Sequence, residues 1–154
     1  METGTAEQVS QTSGTKSLMA YFRAMRPEHW IKNLVVLAAF LFALGDNNQY
    51  PGLLPLWASF SKAVGAMALF CIVSSAIYLL NDIKDFELDR AHPQKKLRPI
   101  AAGAVPRLHA RILAAILLAA GIAGSTALSP YLACVIIIYV LLQAFYTMGL
   151  KKVA

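Results

Sequence analysis

Residues 63–103 read AVGAMALFCIVSSAIYLLNDIKDFELDRAHPQKKLRPIAAG and pass from an uncharged apolar run, Ala63 to Leu80, directly into Asn81, Asp82, Asp85 and Asp89. A bilayer core about 30 Å thick takes about 20 predominantly apolar helical residues, so the run predicts a transmembrane helix. The end of such a helix is an expensive place to keep three like charges without a use for them. At about 100° per residue, Asp82, Asp85 and Asp89 fall within roughly 60° of one another if the helix continues past the membrane surface, and Asn81 extends the stripe. Glu87 and Lys84 then point to the other side. Clustered carboxylates repel unless a cation holds them, and hard oxygen ligands that leave positions open for phosphate oxygens suit Mg²⁺. The competing explanation is a solvated acidic helix end with ordinary surface ion pairs.

Directly after Asp89 come Arg90, His92, Lys95, Lys96 and Arg98, in a stretch broken by Pro93 and Pro99 and closed by Gly103. Carboxylates able to hold a metal beside cations able to hold phosphates suit a phosphorylated substrate with a diphosphate leaving group. Basic residues also gather in any cytoplasmic loop, which is the topological alternative. His92 has no second metal ligand at helical spacing.

The rest of the chain agrees with a membrane setting. Hydrophobic residues make up 58% and charged residues 14%, where a soluble domain carries about a quarter charged. Net charge is +6, but the basic residues lie between apolar runs and form no continuous face, which excludes a nucleic-acid reader. Three more runs suggest helices, at 27–44, 111–128 and 130–150, giving with 63–80 an all-α protein of four transmembrane helices. Pro27 suits a first helical turn. Small residues in the third run, among them Ala114, Gly121 and Gly124, predict close approach of a neighbouring helix. The third and fourth runs follow so closely that they must form an antiparallel hairpin. Residues 1–15 read as a disordered polar tail and not as a signal peptide, with the membrane domain spanning 16–154. The positive-inside rule puts both termini and the 81–106 connection in the cytoplasm, since only Lys62 falls on the opposite side. Tyr50 and Trp57 are expected as interface anchors within the external 45–57 connection, and Cys71 and Cys134 as small buried apolar residues.

The first run opens on a second polar set, Arg26-Pro27-Glu28-His29-Trp30-Ile31-Lys32-Asn33. Lys32 and Asn33 enter the span, as residues facing a protein cavity do; for Lys32, snorkelling to the headgroups is the alternative. Trp30 reads as an interface anchor. Gln143 fits either an interhelical hydrogen bond or a cavity contact.

The motif N-D-x-x-D-x-x-x-D after a second transmembrane helix resembles the first aspartate-rich motif of the UbiA superfamily of intramembrane prenyltransferases. Together with R-P-x-x-W-x-K-N (Arg26, Pro27, Trp30, Lys32, Asn33) and D-R-x-H-P-x-K-x-x-R-P-I-A-A-G (Asp89 to Gly103), it is similar to the branch of decaprenyl-phosphate phosphoribosyltransferases. The resemblance implies transfer from 5-phosphoribosyl 1-diphosphate to a polyprenyl phosphate in a bacterial inner membrane, on the path to cell-wall arabinan precursors. Carried over by position, Asp82, Asp85 and Asp89 would hold Mg²⁺, with Asp82 and Asp85 catalytic. Lys32, Asn33, Asn81, Arg90, Lys95, Lys96 and Arg98 would bind substrate. The same resemblance implies nine helices with a second acidic motif after the sixth. After Asp89 this chain has no Asp or Glu, so it is expected to supply half of a site and to need a complementary C-terminal half. Two alternatives are a prenyltransferase using an allylic diphosphate and an aromatic acceptor, and a non-catalytic membrane fragment or assembly partner.

Overall fold

The structure, a computed structural model, describes residues 17–44 and 53–148. A helix through residues 17–24 (α1) leads into a 3-10 helix, Pro27–Leu34, and then α2, Val35–Ala43. The long α3 is Leu53–Lys84, followed by α4, Phe86–Ala91, and a 3-10 turn, Lys95–Leu97. The hairpin of α5, Arg107–Leu128, and α6, Pro130–Met148, completes the described chain, which contains no strand among its described residues. The expected polar tail, Tyr50, and the last two residues of the 130–150 helix lie outside the described residues.

Three helices are long and apolar enough to cross a membrane: Leu56–Lys84, Arg107–Leu128 and Pro130–Thr147. This is an integral membrane protein. The second helix, expected over 63–80, starts earlier and ends later, because nothing in Leu53–Lys84 breaks a helix inside the run. The expected single helix over 27–44 is corrected to a 3-10 helix followed by a short α-helix. Its side chains give the reason. At three residues per turn, positions i and i+3 eclipse, which places Trp30 and Asn33 on one line. Both donate to α3, Trp30 Nε1 to Ser75 Oγ at 2.9 Å and Asn33 Nδ2 to Ser74 Oγ and Cys71 Sγ at 3.3 Å each. Trp30 is thus tied into the protein, with Phe22 edge-on to its ring at 6.0 Å.

The seam between α3 and α5 is made of small residues, as expected. The buried face of α5 is Ala110, Ala114, Gly121 and Ser125. A methyl added at Gly121 would lie 2.3 Å from Val73 Cγ2, and one at Gly124 would lie 2.7 Å from Leu69 Cδ2. Large apolar side chains such as Ile116, Ile138, Leu142 and Phe145 face outward, since lipid solvates them as well as protein does and close packing drives association instead. Cys71 is buried as expected, whereas Cys134 is exposed on α6; its place on the outward side of the hairpin corrects that expectation. Near the acidic motif, Ala24 of α1, Ala76 and Leu79 of α3, Ala110 and Ala114 of α5, and Ile100 and Val105 of the connecting loop form one buried cluster. That cluster fixes the loop against the helix ends.

Candidate functional site

The acidic motif lies where α3 gives way to α4. The helix does not run on unbroken: α3 stops at Lys84, and Asp85, at φ −85° and ψ 7°, begins α4. Hydrogen bonds from Asp85 N to Asn81 O at 2.9 Å and from Asp89 N to Asp85 O at 2.8 Å keep the helical path through the break. Asp82 and Asp89, about two turns apart, are 3% and 2% exposed. Asp85 is only half-buried and Glu87 is exposed, the latter as expected.

Buried carboxylates need partners, and here they are arginines. Arg98 Nη1 donates to Asp89 Oδ2 at 2.6 Å and lies 3.3 Å from Asp82 Oδ1. Arg26 Nη2 reaches the same Asp82 oxygen at 2.5 Å. Arg26 belonged to the second polar set, yet sequence reasoning gave it no role at the site. Its backbone is left-handed, at φ 54° and ψ 59°, a conformation that costs a non-glycine residue about 1–2 kcal/mol. The turn directs the guanidinium over the Tyr78 ring, 5.2 Å from its centroid, and onto Asp82. Two signals pointed to it: its place beside a helix-starting proline, and the need of a buried aspartate for a counter-ion.

The loop that carries Arg98 is built by its own sequence. Arg98 N bonds Lys95 O at 3.0 Å, Ala102 N bonds Arg98 O at 2.8 Å, and Val105 N bonds Pro99 O at 3.1 Å. Gly103 takes φ 77° to close the turn, a conformation glycine adopts without a Cβ penalty. Ile100 and Val105 plug the loop into the core. His92 serves the same purpose, its Nδ1 accepting from the backbone N–H groups of Gln94 and Lys95 at 3.2 and 3.3 Å.

The other predicted residues divide. Thr147 of α6 donates its hydroxyl to Asn81 Oδ1 at 2.8 Å. Lys84 was expected to point away from the acids; its Nζ donates to the Thr147 carbonyl and so caps the C-terminal turn of α6. Asn81 and Lys84 of α3 and Gln143 and Thr147 of α6 line a cleft of about 210 Å³ together with Ile77, Leu80, Leu118, Val140 and Ala144. Gln143 is therefore a cleft residue. Asn33 is spent on α3. Lys32, Arg90, Lys95 and Lys96 are exposed, and none of the four forms an ion pair with another described residue; Arg90 lies over the Phe86 ring.

Among the described residues no three Asp, Glu, His or Cys side chains converge as a metal site. Oxygen donors of the right kind for a hard cation are present, but a guanidinium nitrogen stands between Asp82 and Asp89. As arranged, these residues fit arginine and not a divalent ion.

Residues 34–154 match the UbiA prenyltransferase family. The chain is 43% identical over 152 residues to a decaprenyl-phosphate phosphoribosyltransferase of Mycolicibacterium smegmatis, covering 97% of this chain and 46% of that protein. It is 44% identical over 132 residues to the protein of that name in Mycobacterium tuberculosis, covering 86% and 42%. For the protein of that name in Corynebacterium glutamicum the figures are 41% over 133 residues, 84% and 38%. The chain thus spans less than half the length of these relatives.

Proposed function

Because the chain belongs to the UbiA prenyltransferase family, we propose that it is the portion bearing the first acidic motif of a polyprenyl-phosphate phosphoribosyltransferase. The reaction is transfer of the phosphoribosyl group from 5-phosphoribosyl 1-diphosphate to decaprenyl phosphate. The bond from the ribosyl anomeric carbon to the diphosphate oxygen breaks, diphosphate leaves with the electron pair, and an oxygen of the lipid phosphate bonds to that carbon. The observation that carries this reading is the buried alternation Arg26–Asp82–Arg98–Asp89 at a membrane helix end, set in a sequence 41–44% identical to proteins of that name.

The exposed cations Arg90, Lys95 and Lys96 supply positive charge where negative charge grows on the leaving group, a form of stabilisation that is strongest when prearranged. Lys32 is proposed to contact phosphate from the far side. The apolar cleft beside Asn81 suits the first isoprene units of the lipid. Enzymes of this family are generally dependent on a divalent metal. Mg²⁺ is the ion proposed to meet that need in the complete enzyme; in this arrangement Asp82 and Asp89 are paired with Arg26 and Arg98, which leave no room for it between them. A second acidic cluster from a complementary stretch of polypeptide is proposed to complete the site.

Four spans are proposed, with both termini in the cytoplasm of a bacterial inner membrane. The 3-10 helix rises about 2 Å per residue, so with α2 it covers about 30 Å, enough for a bilayer core. Basic residues at the Lys84–Arg111 end set the orientation.

The test is to express the chain in membranes together with the C-terminal half of the M. smegmatis relative and supply radiolabelled 5-phosphoribosyl 1-diphosphate and decaprenyl phosphate. Labelled lipid and free diphosphate are expected. Inhibition by an allylic prenyl diphosphate, with prenylation of an aromatic acceptor, would instead establish the prenyltransferase alternative.

A further inference from the structure

Two polar side chains lie on the membrane side of the acidic motif and outside its ion pairs. His29 of the 3-10 helix and Tyr78, inside the apolar span of α3, pack their rings together with centroids 5.0 Å apart. The guanidinium of Arg26 lies over the same Tyr78 ring, 5.2 Å from its centroid, while it holds Asp82. Both His29 and Tyr78 are half-buried. Neither the Tyr78 hydroxyl nor a ring nitrogen of His29 forms a hydrogen bond with another described residue. Trp30 and Asn33, from the same polar stretch as His29, are by contrast satisfied by Ser75, Ser74 and Cys71. Polar groups kept at membrane depth are costly and mark the path of a substrate. We propose that His29 and Tyr78 form the subsite for the phosphate of the lipid acceptor, and so set a preference for a phosphorylated polyprenyl chain over the free alcohol. The inference rests on the reading of the chain as part of a polyprenyl-phosphate phosphoribosyltransferase.

Position along α3 assigns the pair to the acceptor. Tyr78 precedes Asp82 by four residues, which puts it about 6 Å deeper in the membrane. Arg90, Lys95 and Lys96 follow Asp82 and are exposed. A soluble diphosphate donor meets that second group first, whereas a phosphate carried on an isoprenoid chain comes from the bilayer and meets His29 and Tyr78. Around the helix axis Tyr78 stands between Asn81 and Asp82, about 60° from the one and 40° from the other. Asn81 borders the apolar cleft, so a chain lying there ends one helical turn from Asp82. The donors suit an anionic oxygen: a phenol gives one O–H, an imidazole at least one N–H, and hydrogen bonds to a charged acceptor are the stronger kind. Neither donor needs a fixed positive charge, which the nearby carboxylates would claim as they claim Arg26 and Arg98. A free alcohol brings a single neutral oxygen and leaves one donor unpaired, and a site built on polar groups rejects the analogue that cannot use them.

The experiment measures binding of farnesyl phosphate, a short polyprenyl phosphate, by phosphorus NMR to the full chain in phosphatidylcholine nanodiscs, with empty nanodiscs as the blank. Farnesol and inorganic phosphate are added as competitors, and 5-phosphoribosyl 1-diphosphate is titrated separately. Tyr78→Phe and His29→Phe keep both rings, and with them the packing of Arg26, and remove the polar atoms. Each is expected to weaken farnesyl phosphate about tenfold or more, while 5-phosphoribosyl 1-diphosphate binds both variants as it binds wild type. Farnesol and inorganic phosphate are expected to compete poorly. Lys95→Gln with Lys96→Gln is expected to give the reverse pattern, with the donor weakened and farnesyl phosphate unchanged. Undiminished farnesyl phosphate affinity in the two phenylalanine variants overturns the proposal, as does a wild-type chain that does not bind farnesyl phosphate. Competition by farnesol or inorganic phosphate as strong as by farnesyl phosphate itself also overturns it, because the site would then read the chain alone or a free anion. If the phenylalanine variants lose farnesyl phosphate while no protein binds 5-phosphoribosyl 1-diphosphate, the acceptor subsite stands and the phosphoribosyl reading fails.

Discussion

The cations of this site form two groups that the sequence sets side by side and the fold separates. Arg26 and Arg98 turn inward onto Asp82 and Asp89, while Lys32, Lys95 and Lys96 stay exposed. The division follows side-chain chemistry except at Arg90, an exposed arginine that lies over the Phe86 ring. A guanidinium is planar, weakly hydrated and able to serve two carboxylates, whereas an ammonium is strongly hydrated and loses more on burial. The inward pair is part of the fold as well as of the site. The outward group is available to a ligand and contributes little to stability.

The largest effect should come from removing the shared partner. Asp82→Ala leaves the partly buried guanidinium of Arg26 uncompensated and Arg98 with Asp89 alone, and breaking a buried pair from one side costs about 3–5 kcal/mol; a thermal unfolding scan in detergent should show it, and an unchanged melting temperature would falsify the buried-pair account. Arg26→Lys retains the charge but loses the stacking on Tyr78, worth about 0.5–2 kcal/mol. A smaller drop in melting temperature is expected, and none would mean that the ring contact is incidental. Gly103→Ala keeps the space open but strains the loop backbone by about 1 kcal/mol. Faster amide exchange confined to residues 98–105 is the expected sign. Last, Lys95→Gln with Lys96→Gln should leave stability within about 0.5 kcal/mol and raise the KM for the phosphorylated donor several-fold in the reconstituted transfer assay. A large stability loss there would erase the distinction between the two groups.

Much of this was readable from local pattern. The apolar runs gave the helices, the small residues of the third run gave the α3–α5 seam, and the helical angle excluded Glu87. What was not readable depended on partners far along the chain. Arg26 and Asp82 are 56 residues apart and Thr147 and Asn81 are 66, so no window of sequence contains either pair. Asn33 had the signature of a cavity residue, a polar group inside a span, and met that need with Ser74 and Cys71 instead. The 3-10 geometry of 27–34 was hidden for the same reason: it is chosen by what Trp30 and Asn33 must reach. The angle that turned Lys84 from the acids also turned it toward α6, where its partner Thr147 lies 63 residues along the chain.

The glycine seam has an evolutionary consequence. With Val73 Cγ2 seated where the first methyl of any other residue would go, position 121 has few neutral neighbours in sequence space, whereas position 124 meets the tip of Leu69, which can turn aside. The outward faces of α5 and α6, where Ile116 or Leu142 can be exchanged for another apolar residue of similar hydrophobicity, are free to drift. New substrate preferences are therefore expected to arise by changes around the 92–106 loop and the cleft beside α6, and seldom in the pair of helices that forms their foundation.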